Sequence, residues 1–499
     1  MGLPAAPPIE GASRRSLARD PALQVLAFIA FSTILKCVVA SQVELDSVEA
    51  YHWLYARNPA LGYFDHPGMI GWMIWLSTAL FGDSALGVRM STILAGALTI
   101  WLAFLAGRKM YGERAGRLAA LLVGLTPMTV KLGFEAGPDA PLLLFWTAAL
   151  WALAHALDGG RWKWWLVAGA FCGGALLSKY TAVFLPVGVL LFLLLSPEHR
   201  PWLRRPHPYA AALVALAVFS PALAWNAQNG WASFAYQGVE RLGESSGMTV
   251  RYLDIYARRQ LLLVTPFVLA WGYWFGFRPL WNWRASSSAD RLNASIGMPI
   301  LGLFAMLCLF RSVRAHWPAP GYISVFLLAA SAVTAGGLWG RRLHHLTLAA
   351  LAVAGLTYPV ALARMPREQL TGWAQVASEV QRLHPDFVIA QDYHVAAQMA
   401  YHLRPLAAWD MTPVGLGGKS FRFWWRPGPF ASRDALVIYH SDEYPTDLDR
   451  VIRSFERVED PVQIAVTRLG GRKEKFFLIW ARSYHAPGDS QPPSGCLPP

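Results

Sequence analysis

A long series of apolar stretches, each about the length that a helix needs to cross a lipid bilayer, constrains the fold of this chain more than any other feature. Hydrophobic residues make up 55% of the 499 residues and charged residues only 15%, a composition that excludes an ordinary soluble enzyme. The sequence therefore predicts a polytopic α-helical membrane protein with about 11 to 13 transmembrane helices. A further stretch at residues 67–82 suits an interfacial or re-entrant helix. The candidate spans are roughly residues 23–40, 86–106, 115–130, 140–157, 165–177, 182–195, 209–225, 261–277, 295–310, 321–338 and 346–362.

Basic residues mark the loops on one side of these spans. If the spans alternate, the loops that carry most of the positive charge fall on one side, and they include Arg14, Arg19, Arg108, Lys109 and Arg341. The positive-inside rule assigns that side to the cytoplasm. The net charge of +13 is thereby explained by loops next to anionic membrane lipids and not by a nucleic-acid partner. We expect a multi-pass membrane protein with a cytoplasmic N-terminus.

The hydropathy drops after about residue 364, where the patterns of a soluble α/β domain begin. The stretch "DFVIAQDYHVAAQMAYHL" reads as a strand and a helix, "DALVIYHSDEYP" as a strand and turn, and "VQIAVTRLGGRKEKFFLIWAR" as a hairpin around Gly470 and Gly471. An odd number of spans places this domain on the non-cytoplasmic side, as it does the loop at residues 41–85 with its juxtamembrane helices. The predicted domains are a disordered cytoplasmic tail (1–20), a transmembrane domain (21–363) and the soluble domain (364–499).

The distinctive polar residues gather on the same non-cytoplasmic side, beginning with "VELDSVEAYHWLYARNPALGYFDHPGM". Asp46 and Glu49 lie one helical turn apart in this stretch and would share a helix face. They could act as a base and a metal ligand, or form the N-cap and acidic first turn of a helix, and the spacing favours the cap. Asp65 and His66 precede Pro67 at the start of an apolar helix, where a cap is again the commoner interpretation.

Three other polar positions lie at the non-cytoplasmic ends of spans. Asp139, between two prolines, is either an N-cap or a functional carboxylate. Lys179, in a tight turn between apolar helices, either reaches the interface or binds an anionic lipid phosphate. The turn with Arg311, Arg314 and His316 either anchors the chain at the interface or contacts phosphate and sugar.

Together these groups describe a pocket suited to an anionic lipid that carries a sugar. Carboxylates can act as a base or hold a divalent metal, cations can hold a phosphate, and aromatic rings can stack on a sugar ring. The spacing does not demand a metal, so a divalent ion (Mg, Mn, Ca or Zn) stays open as a cofactor. A lipid or sugar transporter is the competing class, but it predicts ionisable residues deep within the spans, where this sequence has almost none.

The chain also resembles the bacterial membrane glycosyltransferases of the GT-C class, in the branch related to protein O-mannosyltransferases and to the lipid A aminoarabinose and galacturonic acid transferases. The shared phrases span Glu49 to about Tyr322 in the family's order, and they are "EAYHWLYARNPALGYFDHPGMIGW", "FGDSALGVRM", "PDAPLLLFW", "GRWKWWLVAGAFCGGALLSKYTAV", "WNAQNGWASFAYQ" and "AHWPAPGY". The resemblance implies a GT-C membrane domain with a C-terminal periplasmic α/β domain, in the bacterial inner membrane. It further implies a polyprenyl-phosphate-linked sugar as donor, periplasmic transfer with inversion, and a lipid or glycan acceptor of the lipid A type, with a protein acceptor as the alternative.

Within this framework the predicted site residues fall into three groups. The catalytic carboxylates are Asp46, Glu49 and Asp139, of which Glu49 and Asp139 are also the candidate metal ligands. The donor phosphate is expected to bind Lys179, His66, Arg311, Arg314 and His316. The sugar and acceptor pocket is expected to contain Tyr51, His52, Asp65, Tyr180, Asn226 and Trp317.

One position departs from the family's pattern at a place that matters for catalysis. The family usually has an adjacent Asp-Glu pair whose Asp is taken as the catalytic base, and this chain has Val48 followed by Glu49. Either Asp46 or Glu49 serves as the base, or the acceptor is a phosphate that is already ionised and needs little base catalysis. A non-catalytic membrane subunit is the third reading that Val48 keeps open. Gly68 and Asn229 are smaller departures, where the family usually has Pro and His.

Overall fold

A computed structural model describes residues 20–240, 248–335, 372–441, 448–467 and 473–486, with the single residues 349, 353 and 445. The helices up to residue 178 are Pro21–Gln42 (α1), Ser47–Arg57 (α2), Met69–Phe81 (α3), Ala85–Tyr111 (α4), Glu113–Leu125 (α5), Pro127–Leu132 (α6), Asp139–Gly159 (α7) and Trp162–Ser178 (α8). Those up to residue 335 are Phe184–Leu195 (α9), His207–Gln228 (α10), Ala232–Ala235 (α11), Val250–Val264 (α12), Pro266–Trp281 (α13), Ser288–Leu307 (α14) and Ala319–Ala335 (α15). The C-terminal part contains Trp373–Leu383 (α16), Tyr393–His402 (α17), Phe421–Trp424 (α18) and Asp449–Ile452 (α19).

The C-terminal part is built on one mixed β-sheet. Its strands are Phe387–Ala390 (β1), Ala408–Trp409 (β2), Ala435–His440 (β3), Phe455–Val458 (β4), Val462–Thr467 (β5) and Lys473–Tyr484 (β6). The order is β2-β1-β3-β6-β4, and β5 also pairs with β6. β1 runs parallel to β2 and β3, with Val388 opposite Ala408 and Leu436, and β6 runs antiparallel to its three neighbours. The strand, helix and hairpin patterns of the sequence appear in this order, while Gly470 and Gly471 lie outside the described residues.

The membrane part consists of apolar helices of unequal length. In the described part of the chain, α1, α4, α7 and α10 are each long and apolar enough to cross a membrane. The shorter apolar helices are α3, α15 and the segment Tyr180–Leu195, in which a 3-10 turn leads into α9. The predicted spans up to residues 321–338 fall mainly on helices, whereas residues 346–362 lie outside the described part. The total of 11 to 13 spans stays a prediction.

Two predicted spans are interrupted by proline. Residues 115–130 form two helices because Thr126, which precedes Pro127, adopts an extended conformation with φ −66° and ψ 126°. The residue before a proline avoids the helical region, and proline favours the first turn of a new helix. Residues 261–277 are likewise divided between α12 and α13 at Thr265, just before Pro266. Each of these candidate spans therefore consists of two helices that meet at a proline.

A close backbone contact holds the loop between α6 and α7, residues 133–138, against the long membrane helices. A Cβ atom on Gly96 of α4 would lie 3.1 Å from the Cα atom of Gly133. The buried side chain of Lys36, on α1, donates a hydrogen bond to the carbonyl oxygen of Gly133 at 3.2 Å. A Cβ atom on either glycine would crowd this contact, so the close approach and the hydrogen bond from Lys36 hold the loop at its first residue.

The C-terminal sheet domain packs on α2 and the turn before it. The Gln398 side-chain amide of α17 donates to the carbonyl oxygen of Leu45 at 2.8 Å, and Ser47 Oγ lies 3.0 Å from His394 Nδ1. The rings of Trp53 and Tyr401 meet edge to face at 5.2 Å between centroids. The soluble domain therefore covers the end of the membrane part that carries the predicted site residues.

Candidate active site

The first turn of α2 is closed by a reciprocal cap between its two carboxylates. Asp46 Oδ1 accepts a hydrogen bond from the Val48 amide at 2.9 Å, and Glu49 Oε2 accepts one from the Asp46 amide at 2.8 Å. This capping box satisfies backbone donors that a helix start otherwise leaves without partners. The cap interpretation of the Asp46 and Glu49 spacing therefore describes their local structure.

Glu49 is also half of a buried ion pair with Arg89 of α4. Arg89 Nε donates to Glu49 Oε1 at 2.8 Å and Nη2 to Oε2 at 2.5 Å, and the Ala136 amide donates to Oε1 at 2.9 Å. Glu49 is 2% exposed and Arg89 1%. Burial alone would raise the pKa of Glu49, but the guanidinium of Arg89 and these hydrogen bonds hold it below its usual value. Both oxygens are occupied, which argues against Glu49 as a base or as a metal ligand.

A polar cavity of about 320 Å³ lies between α2, the loop at 133–138, the turn after α14 and the soluble domain. It brings together most of the predicted site residues, namely Asp46, Glu49, Tyr51, His52, Asp65, His66, Asp139, Lys179, Arg314, His316 and Trp317. Side chains outside the predicted set also line it, and these include Val48, Lys131, Glu135, Tyr236, Tyr393 and Lys419. Residues far apart in the sequence therefore form one site.

On one wall of the polar cavity, Lys179 and Asp139 form a second buried ion pair. Lys179 Nζ lies 2.7 Å from Asp139 Oδ1, and His316 Nε2 lies 3.8 Å from Asp139 Oδ2. Burial lowers the pKa of His316 to about 3, so the imidazole is neutral near neutral pH. Asp139 thus orients the ammonium of Lys179. It is the first residue of α7, whose N-cap is Pro138, so the N-cap alternative for Asp139 is wrong.

Elsewhere in the lining of the polar cavity, Asp65 is held by two tyrosines and a lysine. Its carboxylate accepts hydrogen bonds from the hydroxyls of Tyr51 and Tyr55 and from Lys419 Nζ, the last at 3.2 Å. Burial would raise the pKa of this carboxyl, but Lys419 holds it well below its usual range. Lys419 belongs to the soluble domain, where its ammonium also lies 4.3 Å from the ring centre of Tyr393. The soluble domain therefore contributes a cation to the site.

A second, largely apolar cavity of about 290 Å³ adjoins the polar one and shares His66, Lys179 and Trp317 with it. Its apolar wall consists of Val183, Phe184, Leu303, Phe304 and Leu307. Arg311 lines this cavity, and its Nε and Nη1 atoms are buried without a hydrogen-bond partner among the described residues. Buried guanidinium donors are costly unless a ligand pairs with them.

Two predicted pocket residues, Tyr180 and Asn226, do not line the polar cavity. Tyr180 lines the apolar cavity and not the polar one. Asn226 lies behind it, where its amide donates to the Tyr180 hydroxyl at 3.3 Å and to the Ala222 carbonyl oxygen at 2.9 Å. Asn226 therefore positions Tyr180, because its own polar atoms bind neighbouring protein groups.

Comparisons with known proteins agree on one enzyme class. The family model for dolichyl-phosphate-mannose-protein mannosyltransferase matches residues 65–225. Lipid A galacturonosyltransferase RgtD of Rhizobium johnstonii is 26% identical over 418 residues, which cover 80% of this chain and 86% of that protein. The undecaprenyl phosphate-alpha-4-amino-4-deoxy-L-arabinose arabinosyl transferase of Pseudomonas aeruginosa is 30% identical over 336 residues, but the match spans only 58% of its length.

The fold agrees with a solved structure along most of the chain. The crystal structures of ArnT from Cupriavidus metallidurans, in the apo state and bound to undecaprenyl phosphate, superpose with TM-scores of 0.67 and 0.65. They cover 92% and 91% of this chain, at 16% and 17% identity. The chain is a glycosyltransferase of the GT-C class. The predictions of a polytopic helical membrane fold and of this enzyme class are confirmed.

Sequence reasoning missed several groups that shape the active site of this glycosyltransferase. Glu135 appeared in the sequence only as part of a polar loop, and its i,i+4 spacing from Lys131 was the available signal for their ion pair. Nothing in the local sequence indicated that Lys419 would reach Asp65, 354 positions away. Arg89 lies inside an apolar span, where a single charged residue is a signal for a buried partner.

The candidate metal ligands do not offer a free donor set. Glu49 is saturated by Arg89 and two backbone amides, and Asp139 pairs with Lys179. The described residues contain no group of three His, Cys, Asp or Glu side chains placed to hold a metal ion. The arrangement of Glu49 and Asp139 therefore does not fit a divalent ion at these two carboxylates.

Proposed function

We propose that this glycosyltransferase moves a sugar from a polyprenyl phosphate to a lipid or glycan acceptor of the lipid A type. The reaction takes place on the periplasmic face of the bacterial inner membrane, with the N-terminus in the cytoplasm and the soluble domain in the periplasm. The relatives support this donor and acceptor class, since their names specify lipid A and undecaprenyl phosphate. The alternative is a protein acceptor, as in the description of the matching family model.

The observation that carries the proposal is that two guanidinium nitrogens of Arg311, Nε and Nη1, are buried without a hydrogen-bond partner among the described residues. A guanidinium keeps its positive charge and carries N–H donors that bind oxyanions. Leaving such buried donors without partners costs about 1–3 kcal/mol each, so their position points to an anionic ligand. The surrounding wall is apolar, as an isoprenoid chain requires. A lipid phosphate satisfies both demands at once.

Lys179 stands where the two cavities meet, which is the place for the bond that breaks. In an inverting transfer the acceptor oxygen attacks the anomeric carbon while the bond from that carbon to the phosphate oxygen breaks. The leaving phosphate gains negative charge, and a preorganised cation there stabilises the transition state. Lys179 is held by Asp139 at 2.7 Å, so its ammonium needs little reorganisation.

The sugar then occupies the polar cavity, beyond the phosphate. Tyr51, Tyr393 and Trp317 line this space with aromatic surface, which stacks on sugar rings, and Asp65 and His52 add polar groups. The soluble domain closes the cavity through Lys419 and Tyr393. The acceptor therefore meets both the membrane part and the soluble domain.

The buried charges within the spans favour a transferase over a transporter. Lys36 of α1 binds the carbonyl oxygen of Gly133, and Arg89 of α4 binds Glu49. Both side chains fasten the loops that build the cavity. In the described residues they form no chain of ionisable groups through the bilayer, which a transport path would require.

A transfer assay on reconstituted protein tests the proposal. The protein is supplied with undecaprenyl phosphate carrying galacturonic acid or aminoarabinose, and with lipid A as acceptor, and products are identified by mass spectrometry. We expect transfer of one sugar to lipid A, reduced about 100-fold or more in Arg311→Gln. Arg258→Gln, which removes an exposed arginine of α12, is the matched control and should keep wild-type activity. Transfer to protein alone, or equal activity of both variants, would contradict the proposal.

A further inference from the structure

Five carboxylates line the polar cavity. Three of them are held by cations and hydrogen bonds, and we call these three committed. Glu49 is saturated by Arg89, Asp65 is held by two tyrosine hydroxyls and Lys419, and Asp139 pairs with Lys179. Such groups are poor proton acceptors because cations and hydrogen bonds stabilise their ionised forms. The remaining two are Asp46 and Glu135.

Of these two, Asp46 has a structural task. Its Oδ1 caps α2 through the Val48 amide, and its own amide binds Glu49. Protonation of this carboxylate would weaken the cap at the start of the helix that carries the site. Asp46 is therefore the less suitable of the two to exchange a proton in each cycle.

Glu135 is fixed in place by its backbone while its carboxylate stays accessible. The next residue, Ala136, donates its amide to Glu49 and accepts a hydrogen bond on its carbonyl from the His52 ring at 2.8 Å. The Glu135 side chain pairs with Lys131 through Oε2 and is 32% exposed. No described residue binds its Oε1. The group is thus held at the cavity wall with one oxygen open to a ligand.

The charges around Glu135 suit a proton acceptor. Burial, Glu49 and Asp46 raise the pKa of Glu135, against the opposing effect of Lys131. Arg89, the other cation near it, is already neutralised by Glu49. A carboxylate with a raised pKa is a stronger base than the committed carboxylates beside it.

We propose that Glu135 is the general base of the transfer and that the acceptor attacks through a hydroxyl group. The inference rests on the proposed function. The acceptor oxygen forms a bond to the anomeric carbon, its proton moves to Glu135, and the electron pair of the breaking bond leaves with the polyprenyl phosphate. Val48 lines the same cavity and offers no proton acceptor, so Glu135 supplies from the α6–α7 loop what that position lacks.

Kinetics of Glu135→Gln with a hydroxyl acceptor test this assignment. We expect kcat to fall about 10²- to 10⁴-fold, the usual contribution of a general base, while the KM for the donor changes less than about threefold. Glu135→Asp should retain part of the activity because it restores a carboxylate. Glu44→Gln removes a carboxylate from the loop before α2, outside the cavity lining, and should behave as wild type.

A rescue variant separates a lost base from a lost structure. In Val48→Asp/Glu135→Gln a new carboxylate enters the same cavity, and we expect it to recover at least about tenfold of the lost kcat. Full activity of Glu135→Gln would overturn the inference while leaving the proposed function intact. An inactive double variant whose donor binding equals that of wild type would also overturn it. A wild-type protein that transfers nothing would instead contradict the proposed function.

Discussion

Two carboxylate–cation pairs border the same cavity but differ in burial and in the number of hydrogen bonds that hold the carboxylate. Glu49 and Arg89 are buried, bind each other through two hydrogen bonds and tie α2 to α4 and to the loop at residue 136. Glu135 and Lys131 are each about a third exposed and form an i,i+4 pair on one segment. The comparison shows that burial and saturation make a carboxylate a structural clamp, whereas partial exposure leaves it available for chemistry.

Breaking the buried pair has the largest expected effect. Arg89→Met leaves Glu49 charged and unpaired in the interior, which typically costs about 3–5 kcal/mol. We therefore expect a large drop in thermal stability in detergent, together with loss of activity. Arg108→Met, at an exposed position in the last turn of the same helix, should unfold as wild type does. Equal stability of the two variants would show that the clamp contributes little.

Removing the cation at the junction of the two cavities should affect the reaction more than the fold. Lys179→Met withdraws the ammonium that faces the leaving phosphate, and we expect kcat/KM to fall about 10²- to 10³-fold. Lys163→Met, at an exposed position of α8, the helix that ends just before Lys179, is the matched control. Transfer rates with a fixed donor concentration measure the difference. A loss of kcat/KM below about fivefold would show that Lys179 does not bind the leaving phosphate.

Changing the cation of the exposed pair should move a pH profile. Lys131 favours the ionised form of Glu135, so Lys131→Met raises the pKa of Glu135 further. A base must be ionised to accept a proton, so activity rises with pH through this pKa. We therefore expect the acid limb of kcat against pH to shift to higher pH in Lys131→Met. An acid limb that stays in place would show that the ionisation of Glu135 does not control the rate.

Removing the contact between Lys419 of the soluble domain and Asp65 of the polar cavity should give the smallest effect. Lys419 is partly exposed, and Asp65 keeps its hydrogen bonds from Tyr51 and Tyr55 in Lys419→Met, so this variant should lose less stability than Arg89→Met. The pKa of Asp65 should rise, because the cation that lowers it is gone. Hydrogen exchange of α17 reports whether the domain loosens, with Arg453→Met as an exposed control. Unfolding of the whole domain would show that this one contact is far more important than its exposure suggests.

The helices and the active site differ in how much of them the sequence predicts. Apolar stretches and basic loops predicted the membrane helices, and the N-cap pattern at Asp46 predicted the start of α2, because both depend on neighbours in the chain. The breaks at Pro127 and Pro266 follow from a local rule as well, because the residue before a proline avoids the helical region. The roles of Glu49 and Lys419 depend on partners 40 and 354 positions away, which periodicity does not encode.

The assignment of residues 133–138 illustrates the same limit at the active site. Lys36 and Gly96 place this loop through contacts from two other helices, and they thereby bring Glu135 to the cavity. In the sequence, Glu135 is an ordinary acidic loop residue. It becomes a candidate base only because the fold places it in one cavity with Val48, Glu49 and Lys131.

Binding of a lipid phosphate without sugar or acceptor tests the central claim most directly. Undecaprenyl phosphate and undecaprenol would be titrated against wild type, Arg311→Gln and Arg258→Gln in nanodiscs, with binding read by native mass spectrometry. We predict that wild type and Arg258→Gln bind the phosphate form at least about tenfold more tightly than the alcohol, and that Arg311→Gln loses this preference. Equal binding of both lipids by the wild-type protein would contradict the account.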